Sequence, residues 1–434
     1  MWRLATVAPS NSLAACDAEL FEEPVVERRY LGRTVFVVSD PDGVKRVLLD
    51  NFDNYTGLPP VRRMFGRLLG AGLLTLEGED WRRHRRLLNA TLDARSIMAD
   101  MAATAALAER TARRLADLPP GEKFAIGPPM QSLLAQSVRR VFAGDDPDDG
   151  IGRTINAISH LPGRFHPRDF LPALPRLGGA RPRAAYPVLE RLIAERRDPA
   201  RGGGSDLVRR MVEARDRRTG ARLDDGEIHD EIVSLAHGST MTTLRALTWF
   251  WYLLALHPSA EARLHAELDD VLGGRAPVAA DFARLRYLSR AIDETMRLYP
   301  PIPVMLRLAV ADDTLCGRRV PRGAIVAVLP WVLHRHRTLW DEPERFDPDR
   351  FLPERSVARH RYAYLPFSAG PRVCIGESLA GMQTRVIAAI LAQRFRFRLA
   401  PGQTIEPTGG VVTLRPRRGI WMTAEPRTTP PRLS

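Results

Sequence analysis

Residues 367–376 read FSAGPRVCIG and hold Cys374, one of only three cysteines in the chain. Gly370 and Gly376 bracket that cysteine, Arg372 precedes it, and a helix-like run begins near Glu377. A thiolate that serves as a permanent metal ligand needs its charge compensated, close backbone approach, and shelter from water and oxidants. The two glycines permit a tight turn, and amides at the start of a helix can point at the sulfur. Phe367 can pack beside a thiolate, and Arg372 can reach an anionic group on a cofactor. The loop therefore reads as a cradle for one axial sulfur ligand.

Composition sets the frame around that cradle. The 434-residue chain shows no internal repeat and no dividing linker. This predicts one globular unit over 1–434, with 1–20 as an N-terminal extension and 425–434 as a disordered tail. Apolar residues at 44% and charged residues at 26% are ordinary globular values, and the apolar runs are too short to cross a bilayer. The net charge of +13 comes almost wholly from arginines spread along the chain. Without a basic stripe interleaved with aromatics, a helix-turn-helix or a zinc-finger pattern, it does not point to nucleic acid. Part of it suits docking of an acidic protein partner. Cys16, Cys316 and Cys374 form neither a disulfide framework nor a C-x-x-C knuckle, which fits a reducing, cytoplasmic setting. Residues 13–16 have the outline of a lipoprotein cleavage site, but the Pro-Ser-Asn-Ser run before them is too polar for a signal core.

Hydrophobic periodicity predicts a mainly α chain with a smaller β-rich part. A β-type run at 34–38 is followed by turn signals, and from Trp81 onward the pattern turns helical. Helices are expected at 80–92, 98–118, 130–142, 186–197, 207–217, 225–256, 260–272, 288–298 and 377–394. The Pro-, Gly- and Arg-rich region between Asp145 and Gly204 reads as mobile connections around short helices, where a lid or substrate entrance commonly lies.

The spacing F-x-x-G-x-R-x-C-x-G is the signature of the cytochrome P450 superfamily. The chain resembles that family at every fixed position: Phe367, Gly370, Arg372, Cys374 and Gly376. The resemblance implies a helix-rich triangular prism around a buried haem b, with Cys374 as the proximal thiolate ligand of the iron. Glu294 and Arg297 in AIDETMRLYPP match the E-x-x-R pair, set on one helical face by their i,i+3 spacing. Arg345 in DEPERFDPDRFLPE matches the downstream arginine that shares the glutamate, in a network that is structural rather than catalytic. Trp81 and Arg85 in EGEDWRRHRRLL match the pair that bonds a haem propionate, and Arg307 matches a further propionate contact. With Arg372, three guanidinium groups would then meet two carboxylates. The motifs stand in family order, and the resemblance extends over 37–421.

The chain departs from the family in the central helix, where the usual pattern is Ala/Gly-Gly-x-acid-Thr. In DEIVSLAHGSTMTTLRALTW those positions fall on Gly238, Ser239, Thr240, Met241 and Thr242. Thr242 matches the threonine that relays protons during oxygen activation, but Met241 stands where the acid belongs, which puts the usual proton route in question. Ser239 and Thr240 are the candidates to replace it through ordered water, although Ser239 can instead bond back to its own helix. Thr243 and His237 read as ordinary helix residues.

The resemblance implies a soluble, bacterial-type haem-thiolate monooxygenase that inserts one oxygen atom of O2 into a mostly apolar small molecule. It implies electrons from NAD(P)H through a separate ferredoxin- or flavodoxin-type donor and its reductase, and a monomer without a transmembrane segment. Met241 leaves open a peroxide-driven peroxygenase or a non-hydroxylating haem-thiolate enzyme. A haem-binding sensor without turnover is the reading from another class. Substrate walls are expected from 56–76, 158–187, the surroundings of Gly238, 302–307 and 409–412.

Overall fold

The helix Asp225–Leu256 is the beam around which the rest is built. Asp224 starts it with a capping box: its carboxylate accepts from the Glu227 amide at 2.7 Å, and the Glu227 carboxylate accepts from the Asp224 amide at 3.0 Å. At 1.5 Å per residue its 32 residues span about 48 Å. Ile228, Ile232, Val233, Leu247, Trp249 and Phe250 point in several directions and are all buried, the mark of a helix packed around most of its circumference. Helices Gly127–Ala143, Asp149–Ser159, Arg286–Leu298 and Glu377–Arg394 pack against it. Trp249 lies flat on Tyr299, ring centroids 4.1 Å apart and planes 9° apart, tying the central helix to the segment that follows Arg286–Leu298.

The computed structural model describes residues 11–30, 32–146, 148–161, 165–170, 186–200, 206–409 and 412–427. Beside the helices stands a five-stranded sheet in the order Val25–Tyr30, Arg33–Val38, Ile325–Val328, Met305–Ala309, Tyr55–Gly57. Only the pair Arg33–Val38 and Ile325–Val328 runs parallel; the other neighbours are antiparallel. This register sets Gly57 opposite Arg307, which matters for the site. Phe36, Val326 and Val328 of the sheet close a second apolar cluster, separate from the helical core.

The helices Asp225–Leu256 and Glu377–Arg394 have the ends expected from the sequence. The expected helix at 207–217 stops at Glu213, because Asp216 instead accepts from Arg86 at 2.7 Å and from the Arg218 amide at 2.9 Å in a turn. The expected tail begins too early: Glu425 and Pro426 end the strand Trp421–Pro426, and Arg427 pairs with Asp269 at 2.8 Å. Residues 428–434 lie outside the described residues, as do 171–185 in the expected entrance region. At the other end, Leu13 and Leu20 of the expected extension are buried. Among the described residues no helix is long and apolar enough to cross a membrane.

Candidate active site

Helix Gly78–Thr91 joins the cysteine loop to the central helix through adjacent residues. His84 Nδ1 meets Glu231 Oε1 of the central helix at 2.7 Å, both side chains being buried. Arg85 donates to the Val373 carbonyl at 2.8 Å, next to Cys374. The loop itself is closed by the Cys374 amide donating to the Phe367 carbonyl at 2.9 Å and the Val373 amide donating to the Gly370 carbonyl at 3.0 Å. Gly370 has φ +69°, and a Cβ there would stand 1.8 Å from the Leu48 carbonyl oxygen, so only glycine fits. Gly376 is different: its φ is −89°, and a Cβ would lie 3.8 Å from the Cys374 sulfur in ordinary contact.

Cys374 has an accessible side chain, yet burial is the leading influence on its thiol and pushes the pKa up. The Gly376 amide and Arg85 act in the opposite sense, and Glu377 adds to the rise. The sulfur is thus reachable by a ligand although protein surrounds most of it. Such a thiol keeps its proton until a metal displaces it. Phe367 packs at the edge of the main core beside it.

Arg372 stacks over the Trp81 ring at 4.4 Å, donates to the Leu76 carbonyl at 3.0 Å and pairs with Glu77. Glu77 also accepts from the Gly57 amide at 2.9 Å and lies 3.9 Å from Arg62. Burial pushes Arg372 down to about 10; Glu77 opposes the shift, and Arg307 and Arg62 add to it. Arg307 is likewise lowered by burial against the pull of Glu77. Arg62, Arg307 and Arg372 thus crowd one carboxylate, an excess of positive charge that calls for further anions. A thiol that a ligand can reach and a cationic cluster short of carboxylates fit a haem with its two propionates.

The sequence singled out Arg307, Arg372, Trp81 and Arg85 but missed Glu77 and Arg62. A lone Glu before a helix start was the only available signal.

On the central helix Leu235, Gly238, Ser239, Met241 and Thr242 keep partial exposure while most of their neighbours are buried. A Cβ on Gly238 would meet nothing within 4 Å. Thr242 Oγ1 donates to the Gly238 carbonyl at 2.8 Å, and Ser239 Oγ donates back to the Ala236 carbonyl at 3.3 Å. Thr240 does not join this open face: it is 0% exposed and its hydroxyl has no partner among the described residues, so it cannot take up a relay from the open face. His237 is buried, with Nδ1 3.1 Å from the Ile158 carbonyl.

Behind the loop, Glu294 and Arg297 are both fully buried and joined at 2.6 and 2.8 Å. Arg297 also donates to the carbonyls of His334, Pro343 and Arg345. The expected third member is corrected by the structure. The Arg345 side chain is 63% exposed and pairs with Glu342, and only its carbonyl turns inward. Arg350 takes the inner place, Nε 3.4 Å from Glu294 Oε1. The reason is the backbone, which sends the Asp347 amide to Glu294 at 2.9 Å and brings Arg350 round behind it.

Fold and site together define a haem-thiolate protein. The chain belongs to the cytochrome P450 family, whose sequence pattern it matches over residues 5–126 and 155–422. It is 35% identical over 398 residues to cyclooctatin synthase of Streptomyces melanosporofaciens, covering 88% of this chain and 85% of that one. It is 33% identical over 392 residues to cyclooctat-9-en-7-ol 5-monooxygenase of the same organism, covering 88% and 84%. The crystal structure of the cytochrome P450DA heme domain shares the fold, with a TM-score of 0.78 at 24% identity over 94% of this chain and 90% of that one. The protein is a P450 monooxygenase of bacterial type.

Proposed function

We propose that this monooxygenase holds haem b on Cys374 and inserts one oxygen atom of O2 into a cyclic, largely hydrocarbon molecule. Electrons come from NAD(P)H through a separate ferredoxin- or flavodoxin-type carrier, and the protein works as a single chain. The observation that carries the reading is the accessible Cys374 thiol in a loop that only Gly370 permits. Its three cysteines are unpaired, which suits a reducing cytoplasm. A concavity of about 370 Å³ beside the loop, lined by Arg359, Arg361 and, as the single acid among the described residues, Glu377, offers a net cationic face to an acidic carrier. Of the two Streptomyces relatives, one is named for a cyclic alkenol on which it acts as a 5-monooxygenase. Leu235 and Met241, partly exposed on the central helix, can supply apolar wall for such a molecule.

When bound, the haem supplies oxygen activation. Arg85 and the Gly376 amide favour the anionic sulfur, while Trp81, Arg307 and Arg372 receive the propionates. Thr242 spends its proton on the Gly238 carbonyl, which leaves the oxygen lone pairs to hold an ordered water at the open face. Met241 offers no carboxylate beside it, so the relay runs through water that Thr242 holds in place. The longer Ser239 bond to Ala236 can be exchanged for that water.

Reduction under carbon monoxide should give the strongly red-shifted Soret band of thiolate ligation. Its retention in Cys374→Ala would overturn the assignment. Thr242→Ala should consume NAD(P)H while product per NAD(P)H falls at least ~10-fold, with hydrogen peroxide making up the difference. Full coupling in that variant rules out the relay. Efficient peroxide-driven turnover of the wild type without a carrier would favour a peroxygenase, the reading that Met241 supports.

A further inference from the structure

We propose that the cleft between the start of helix Gly127–Ala143, the C-terminal half of the central helix and the segment after strand Leu414–Pro416 binds a multivalent oxyanion, with a phosphate group as the recognised chemistry. The cleft has a volume of about 220 Å³ and is lined by Gly127, Arg245, Thr248, Arg415, Arg417 and Gly419 among others, with no acidic residue among the described residues of its wall. A water's share of liquid volume is about 30 Å³, so a phosphate and several waters have room.

The observation that demands a ligand is Arg245. Its Nε is buried without a hydrogen-bond partner among the described residues. Every Asp and Glu of the chain lies at a described position, and none pairs with Arg245 or Arg415. Burial pushes the Arg245 guanidinium down to about 10, and the charge nearest in effect is another cation, Arg415. Arg417 is engaged by Glu406 at 3.0 Å at the exposed rim. A half-buried guanidinium that faces only like charge is unfavourable unless an anion enters. Planar guanidinium forks match phosphate oxygens pairwise. Gly127 and Pro128 also bring the positive end of a 17-residue helix to the wall. The cluster is distinct from the Arg62, Arg307 and Arg372 group at the cysteine loop.

The haem-loaded full chain is titrated calorimetrically with inorganic phosphate at constant ionic strength, and separately with phenyl phosphate. Saturable one-to-one binding of phosphate is expected in the wild type. Arg415→Ala, an exposed change that leaves the haem spectrum intact, should weaken it at least tenfold, and Arg245→Met should abolish it. In phosphate-free buffer Arg245→Met should melt no lower than the wild type, since it removes an uncompensated charge. Tighter binding of phenyl phosphate than of inorganic phosphate would assign the site to a phosphate monoester, the reverse to the free ion. Absence of saturable binding of either probe, or equal binding in wild type and Arg415→Ala, overturns the proposal.

Discussion

Arg297→Ala is expected to yield little folded, haem-loaded protein. Arg297 uses its whole donor fork: Nε and one terminal nitrogen on Glu294, the rest on the carbonyls of His334, Pro343 and Arg345. Removing it leaves Glu294, 0% exposed, with only the Asp347 amide at 2.9 Å and Arg350 at 3.4 Å. Breaking a buried pair in this way costs about 3–5 kcal/mol, a large part of the ~5–15 kcal/mol that holds a typical protein together. Arg297→Lys should fare little better, because an ammonium cannot reproduce a planar fork with five N–H groups. Arg350→Ala loses a weaker contact to Glu294 and a 2.8 Å bond to the Glu342 carbonyl, so ~1.5–3 kcal/mol is expected. Arg345→Ala should leave unfolding unchanged. Chemical denaturation with haem retention as a second probe ranks the three. If Arg345→Ala is as damaging as Arg297→Ala, Arg345 and not Arg350 is the inner member of the network.

That ranking also shows where the sequence stopped being legible. Residues 343–346 read PERF and residues 348–351 read PDRF, so two arginines five positions apart carry the same local pattern. Nothing local chooses between them. The choice is made by the Asp347 amide reaching Glu294, a contact 53 residues apart in the chain. The Glu294 and Arg297 pair was readable because i,i+3 spacing fixes it within one helix. The central helix was readable from its capping box and continuous apolar run. Glu77 and the buried His84 and Glu231 pair were not, since the latter joins positions 147 residues apart and neither motif nor periodicity marks it. Thr240 failed for a related reason: adjacent residues on a helix face different sides, so a run Ser239, Thr240, Met241, Thr242 cannot all reach one open face. In the cysteine loop the two glycines looked equivalent, and the backbone shows that they are not.

Gly370→Ala should therefore disable the loop, whereas Gly376→Ala should be tolerated. At position 370 the new methyl group would fall on the Leu48 carbonyl oxygen at 1.8 Å and crowd Leu49 Cα at 3.3 Å. Both obstacles are backbone in the segment Arg46–Asp50, so no flexible side chain can yield. The φ of +69° adds strain of about 1–3 kcal/mol for any residue with a Cβ, and over-packing adds ~1–3 kcal/mol more. The least costly escape is for the loop to swing away from Leu48, which carries the Val373 carbonyl off Arg85 and re-aims the Cys374 sulfur. The expected result is a protein with reduced haem content whose ferrous carbon monoxide complex has lost most of the red-shifted Soret band. At position 376 the φ of −89° suits alanine and the methyl group would rest 3.8 Å from the sulfur. That variant should keep the band and change stability by no more than about 1 kcal/mol. Comparing the two in one experiment separates loop geometry from a general intolerance of bulk near the sulfur. Equal loss of the band in both would mean that crowding at the sulfur, and not the passage of Gly370 against Leu48, sets the shape of the cradle.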